Sequence, residues 1–285
     1  MGQTNRLRKA IHRILRRRHF WRTASFSEIA ELYASRMLRM MALSIASAFI
    51  SVYLYQNGYS ILSIALFWAV YFGFKVLIAL RSAALTAWFG PKHGLLSSNV
   101  LCMPAMVSFA LLPTYGFWLL GVVIIFQGLS STLYTISYYV DFSSVKSVDH
   151  AGKELAYMNI IEKVTTGISP LIGGLLAYLW SPQAVLVLAA VIFALAALPL
   201  LRTAEPTLRK QRLRLRGMPW HLIRGSAVAQ WAIGFDIFTS GTVWWLFTAI
   251  TIIGIQTNNE VYAANGILLS VILFAALGSS YAFGK

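Results

Sequence analysis

A carboxylate in the middle of an apolar run is the strongest chemical signal in this chain. Asp236 lies ten residues beyond Ser226, about 15 Å along a helix that rises 1.5 Å per residue. That depth is near the middle of a bilayer. An acid placed there costs about 2.5–3.5 kcal/mol and needs water, a partner or a proton. Gly234, Thr239, Ser240 and Gly241 surround it and make the stretch polar and pliable. Two readings stand: a carboxylate that couples proton or solute movement, or a structural acid bonded to a neighbouring helix.

A second signal is a polar stripe. Gln127, Ser131, Tyr134 and Tyr138 are spaced by four, three and four, so they share one helical face. Such a face can hydrogen-bond a solute through Gln127, Ser131 and Tyr134, or glue two membrane helices together. Ser44 with Ala48, and Ser47 with Ser51, have the small-x-x-x-small spacing that favours close helix approach. Pro170 with Gly167, Gly173 and Gly174 thins and loosens another apolar stretch, as a hinge or as a fixed, closely packed kink. Lys75 and Glu162 fall at similar depths from the inner ends of their stretches and suit an interhelical ion pair; snorkelling to the surface is the other reading for Lys75 and the preferred one for Lys163. Trp244 and Trp245 read as interfacial anchors or as an outer closure.

Other chemistries fail on inspection. No Gly-x-x-x-x-Gly-Lys-Ser/Thr loop is present for ATP-driven pumping. The five histidines have no metal-ligand spacing. No Ser/His/Asp set converges. The chain does not read as an enzyme and calls for no cofactor or metal. Cys102 is the single cysteine, so no internal disulfide forms.

The elements that must position these residues are membrane helices. The chain is 58% hydrophobic and 12% charged, against roughly 25% charged in a soluble domain. Eight apolar spans are expected at about 40–56, 60–80, 94–113, 117–140, 154–180, 183–201, 226–255 and 262–283. Of the 24 Lys and Arg residues, 22 fall in segments that such spans place on one side, and the connections near 56–59, 113–116, 180–183 and 256–261 carry none. That asymmetry puts the N-terminus in the cytoplasm and marks a multi-pass protein of the cell membrane. The net charge of +15 is concentrated in these flanks, which argues against nucleic acid as a partner. Four segments follow: a basic cytoplasmic segment over 1–39, a six-helix bundle over 40–201, a basic linker over 202–225, and two further helices over 226–285. Within the first, residues 5–22 read as a basic amphipathic helix. It and the linker suit binding to anionic lipid.

Three stretches resemble the major facilitator superfamily of secondary transporters: Ser51 to Ser60 at the exit of the first span, Trp88-Phe-Gly90-Pro91-Lys92-His93-Gly94 between spans two and three, and Gly167-Ile-Ser-Pro170-Leu-Ile-Gly173-Gly174 in span five. The second lies where the family carries Gly-x-x-x-Asp-Arg-x-Gly-Arg-Lys, and the third is similar to its Gly-Pro-x-x-Gly-Gly element. The resemblance implies an all-α fold with six helices in a first bundle. It implies gating or hinge roles for Gly90, Lys92, Gly167, Pro170, Gly173 and Gly174, and a central cavity lined by spans four and seven. Ala87 and Trp88 stand at the acidic and arginine positions of the loop motif, and Ser169 at the glycine before Pro170. The family has 12 spans, so Gly284-Lys285 would sit where a second loop motif begins, and the chain is expected to be truncated at its C-terminus.

The reading is a secondary active transporter working by alternating access, coupled to protons through Asp236, with Gln127, Ser131 and Tyr134 contacting the solute. The cavity-facing candidates are mostly neutral or aromatic, which favours neutral or amphipathic solutes over anions. The alternative is a non-transporting membrane scaffold or regulatory protein that holds anionic lipid or a partner. A complete eight-span chain would have to form a homo-oligomer to build a cavity.

Overall fold

A computed structural model describes residues 28–47, 49–145, 151–202, 211, 213, 220–239, 243–254 and 259–283. The basic amphipathic segment at 5–22 and most of the linker lie outside the described residues, and so do Ser240 and Gly241. The described chain is helical: α1 (Glu28–Ser47), α2 (Ile50–Gln56), α3 (Ile61–Phe89), α4 (Pro91–Tyr115), α5 (Trp118–Val145), α6 (Ala151–Leu179), α7 (Pro182–Ala197) with a 3-10 turn (Leu198–Leu201), α8 (Trp220–Phe238), α9 (Trp244–Phe247) running into a π-helical turn (Thr248–Ile253), and α10 (Glu260–Phe283). Among the described residues, six helices are long and apolar enough to cross a membrane, ending with Pro182–Leu201. The protein is an all-α polytopic membrane protein.

Local chemistry sets the ends. Ser60 caps α3 by accepting from the Ser63 N–H at 3.2 Å, and Ser181 caps α7 by accepting from the Ala184 N–H at 3.1 Å, with Pro182 in the first turn. Gly90 alone separates α3 from α4, at a φ of +97° that a side chain would strain, and Pro91 starts the next helix.

Three expected boundaries move. The first membrane helix starts at Ala30, not at 40, so Arg36 and Arg39 belong to the bundle and not to the tail. The second runs to Phe89, because Ile78, Ser82 and Thr86 continue the buried stripe of Ile64, Trp68 and Tyr71 at helical spacing. The expected seventh span is broken after Phe238, next to the Thr-Ser-Gly stretch at 239–241.

In the first bundle, α4 packs against α5 and α7, α3 against α5, and α1 against both α6 and α7. The core has two apolar parts. A large outer cluster includes Phe49, Phe67, Phe109 and Phe193, and a small inner one includes Leu32, Leu95, Tyr134 and Tyr138. A polar layer lies between them. The two halves of the chain meet chiefly where α6 packs against α10.

Candidate functional site

The polar layer is built around Arg39, which is 1% exposed. Its guanidinium donates to Asn99 Oδ1 at 2.8 Å and to Ser130 Oγ at 3.0 Å, and lies over the Tyr134 ring at 4.0 Å. Asn99 donates to Ser35 Oγ at 3.3 Å, Ser35 to the Ala196 carbonyl at 2.7 Å, and Ser130 to the Ser98 carbonyl at 2.7 Å. One network therefore ties α1, α4, α5 and α7 together. Arg39 Nε has no hydrogen-bond partner. One turn nearer the start of α1, Arg36 holds Glu162 of α6 at 2.6 Å and lies over the Tyr138 ring at 4.1 Å. The Tyr138 hydroxyl donates to Met158 sulfur. At the inner end, Lys92 pairs with Glu31 at 3.0 Å, with both side chains buried.

These placements revise the expected site. Tyr134 and Tyr138 stack on each other at 5.7 Å beneath two arginines, so they belong to the interior of the bundle. Glu162 pairs with Arg36 and not with Lys75. The reason is level: Lys75 crosses α5 at Gly128, whereas Arg36 and Glu162 meet beside Tyr138, ten residues or about 15 Å further along α5. Gln127 is buried with its side-chain oxygen unbonded, while Ser131 is half-buried and engaged by the Tyr71 hydroxyl. Lys92 is held inside the first bundle by Glu31, and the linker returns to this corner through a 2.9 Å bond from the Gln211 N–H to the Ala87 carbonyl.

Asp236 sits on the exposed part of α8, where the described side chains from Arg224 to Asp236 are all exposed. The helix reaches the first bundle at Phe238, whose ring lies 6.0 Å from Phe72 of α3. Two residues correspond to about 200° of helical turn, which sets Asp236 on the opposite face from that contact. Asp236 and the α5 stripe therefore do not face each other.

The fifth-span motif has a definite place. A Cβ on Gly174 would run into the Tyr262 carbonyl oxygen and come within 3.2 Å of Gly266 Cα; one on Gly266 would run into the Pro170 carbonyl oxygen. Gly173 lies against α1, where a Cβ would meet the Ile45 carbonyl oxygen at 2.8 Å. Gly167 faces the Phe274 ring, 3.4 Å from where its Cβ would be. Pro170 and Gly174 thus meet the α10 backbone and Gly173 the α1 backbone, while Gly167 receives a ring of α10. At the outer end, the Tyr262 hydroxyl donates to Gln56 Oε1 at 2.5 Å and its ring packs edge-on against Phe49.

A chain with this bundle, this inter-bundle contact and these motifs can be compared with known families. Residues 32–285 match the Major Facilitator Superfamily. The chain belongs to that superfamily. No curated protein matches it. Membership makes it a membrane transporter and explains why a helix of the second half packs on α6.

Sequence reasoning missed Arg36, Arg39, Asn99 and Ser130. One signal was available. Leu32, Ser35, Arg39, Ala42 and Ala46 continue one buried stripe at helical spacing, so the cation at 39 lies on the face that packs. Counting positive charges by segment hid it inside the tail.

Proposed function

We propose that this protein is a secondary active transporter that moves a small solute across the cell membrane by alternating access. The observation that carries this reading is the contact of α6 with α10 through Gly174 and Gly266. Two helices whose backbones meet at glycines approach closely and interlock few side chains there, which suits one bundle rocking against another around a midplane site. The N-terminus faces the cytoplasm in this reading, supported by the one-sided distribution of Lys and Arg. Proton coupling is assigned to Asp236, supported by its place as a carboxylate in an apolar helix of the second half.

The test needs no knowledge of the solute. Spin labels at Val140→Cys and Ser279→Cys in a Cys102→Ser background, on exposed positions of α5 and α10, report the separation of the inner ends. At least two distance populations are expected in the intact protein, collapsing to one in Gly174→Leu. Acidification should shift the populations in the parent and not in Asp236→Asn. A single distance in the parent would refute alternating access, and an unchanged pH response in Asp236→Asn would refute its coupling role.

A further inference from the structure

Lys75 is a cation at the middle of a membrane helix, fourteen residues from either end of α3. The helix is about 43 Å long against a hydrocarbon core of about 30 Å, so wherever the core falls on it Lys75 lies about 9 Å or more inside. It also sits on the inward stripe that runs through Ile64, Trp68, Tyr71, Ile78 and Ser82. The two ion pairs among the described residues use Arg36, Glu162, Lys92 and Glu31, none of which is Lys75. Its contacts are aromatic: the ammonium lies 5.4 Å from the ring centres of both Tyr71 and Phe72. An intramembrane ammonium set against ring faces, and in no ion pair among the described residues, keeps most of its insertion cost and favours an anion beside it.

The surroundings say where that anion would sit. Lys75 crosses α5 at Gly128, with its Cγ 3.9 Å from where a Gly128 Cβ would be. Gln127 and Ser131 flank that crossing. Gln127 has an unsatisfied side-chain oxygen, and its amide offers N–H groups instead if it turns over. On the other side, Phe72 touches Phe238, so the ammonium lies at the seam between the two bundles. Arg39 differs, because it is sealed inside the first bundle by Asn99, Ser130 and Tyr134. A half-buried cation at the seam matches one negative charge, and the rings of Tyr71, Phe72 and Phe238 match an apolar body.

We propose that Lys75, flanked by Gln127 and Ser131, is the anion-binding element of the transport site, and that the solute is a small monocarboxylate with an apolar or aromatic body. This reverses the preference for neutral solutes drawn from the stripe alone. It rests on the transporter reading, and binding rather than flux is the readout, so the two fail separately: loss of rocking leaves anion binding intact, and loss of anion binding leaves rocking intact.

The experiment is thermal stabilisation of the purified intact protein in nanodiscs by benzoate, with benzamide as its uncharged counterpart and inorganic phosphate as a compact anion. Benzoate should raise the melting temperature of the parent, and benzamide and phosphate should not. Lys75→Gln should weaken the apparent affinity for benzoate roughly ten- to a hundred-fold, the usual worth of a hydrogen bond to a charged group. Lys75→Arg should retain most of it, and Ser131→Ala should lose less than Lys75→Gln. Absence of a benzoate effect, equal stabilisation by benzamide, stronger stabilisation by phosphate, or unchanged affinity in Lys75→Gln would each overturn the proposal. So would restoration of benzoate affinity in Lys75→Gln/Asp236→Asn, since Lys75 would then serve only to balance Asp236.

Discussion

Removing the acceptor of a buried charge should harm this protein more than removing the charge itself. In Asn99→Ala, the Arg39 guanidinium loses its 2.8 Å bond to Oδ1 and stays buried. A hydrogen bond to a charged group is worth about 1.5–3 kcal/mol, and an abandoned buried donor bears its desolvation cost in full. Arg39 already carries one unbonded donor at Nε, so this site has little spare capacity. The expected loss is about 2–3 kcal/mol. In Arg39→Met, the apolar stem is retained and the charge disappears with its desolvation penalty. Asn99 still donates to Ser35 and Ser130 to the Ser98 carbonyl, and only Asn99 Oδ1 loses its donor. The bare neutral oxygen costs about 1–3 kcal/mol and the stacking on Tyr134 is lost, but the larger desolvation penalty of the cation disappears, so the expected change is within about 1 kcal/mol of zero. At roughly 2–4 °C per kcal/mol, Asn99→Ala should melt about 4–12 °C below the parent, and Arg39→Met within about 4 °C of it. The assay is thermal unfolding in detergent followed by tryptophan fluorescence. If Arg39→Met melts below Asn99→Ala, the account of Arg39 as a costly buried cation is wrong.

Three further outcomes follow from the same contacts. Arg36→Glu and Glu162→Arg should each cost about 1–3 kcal/mol, between the worth of an exposed and a buried pair, and the double exchange should recover most of it in thermal unfolding, whereas Lys75→Glu with Glu162→Lys should recover nothing. Lys92→Met should cost about 3 kcal/mol, more than Arg36→Met, because the pair with Glu31 is the more deeply buried; equal melting temperatures would contradict this. Tyr262→Phe should remove about 1 kcal/mol at the outer end of the α6–α10 contact and shift the spin-label populations, since its hydroxyl bond to Gln56 joins the two halves there; unchanged populations would show that this bond does not bias the two states.

The membrane character, the all-α fold and the family resemblance were legible in the chain. Each depends on one residue at a time: an apolar run reports transfer from water to lipid, and a one-sided set of Lys and Arg reports which flanks stay in the cytoplasm. Helix ends were less legible. Ser82 and Thr86 read as polar loop residues, yet they lie on the buried stripe of α3, and only the presence of α5 makes that stripe worth extending to Phe89. The prominence of Pro170, Gly173 and Gly174 was visible, but their partners were not: the surface they rest against is Ile45 on one side and Tyr262 and Gly266 on the other. Arg39 makes the same point. Its type and position suit a cytoplasmic flank, and what keeps it inside is Asn99, 60 residues away, and Ser130, 91 residues away. Glu162 was visible as an intramembrane acid, yet its partner is 126 residues distant on α1. Composition and spacing determine which segments enter the bilayer, because that free energy sums over residues taken singly. Which cation meets which acceptor, and which cation is left facing the seam, depends on pairs brought together from distant parts of the chain, and only the packing of helices decides it.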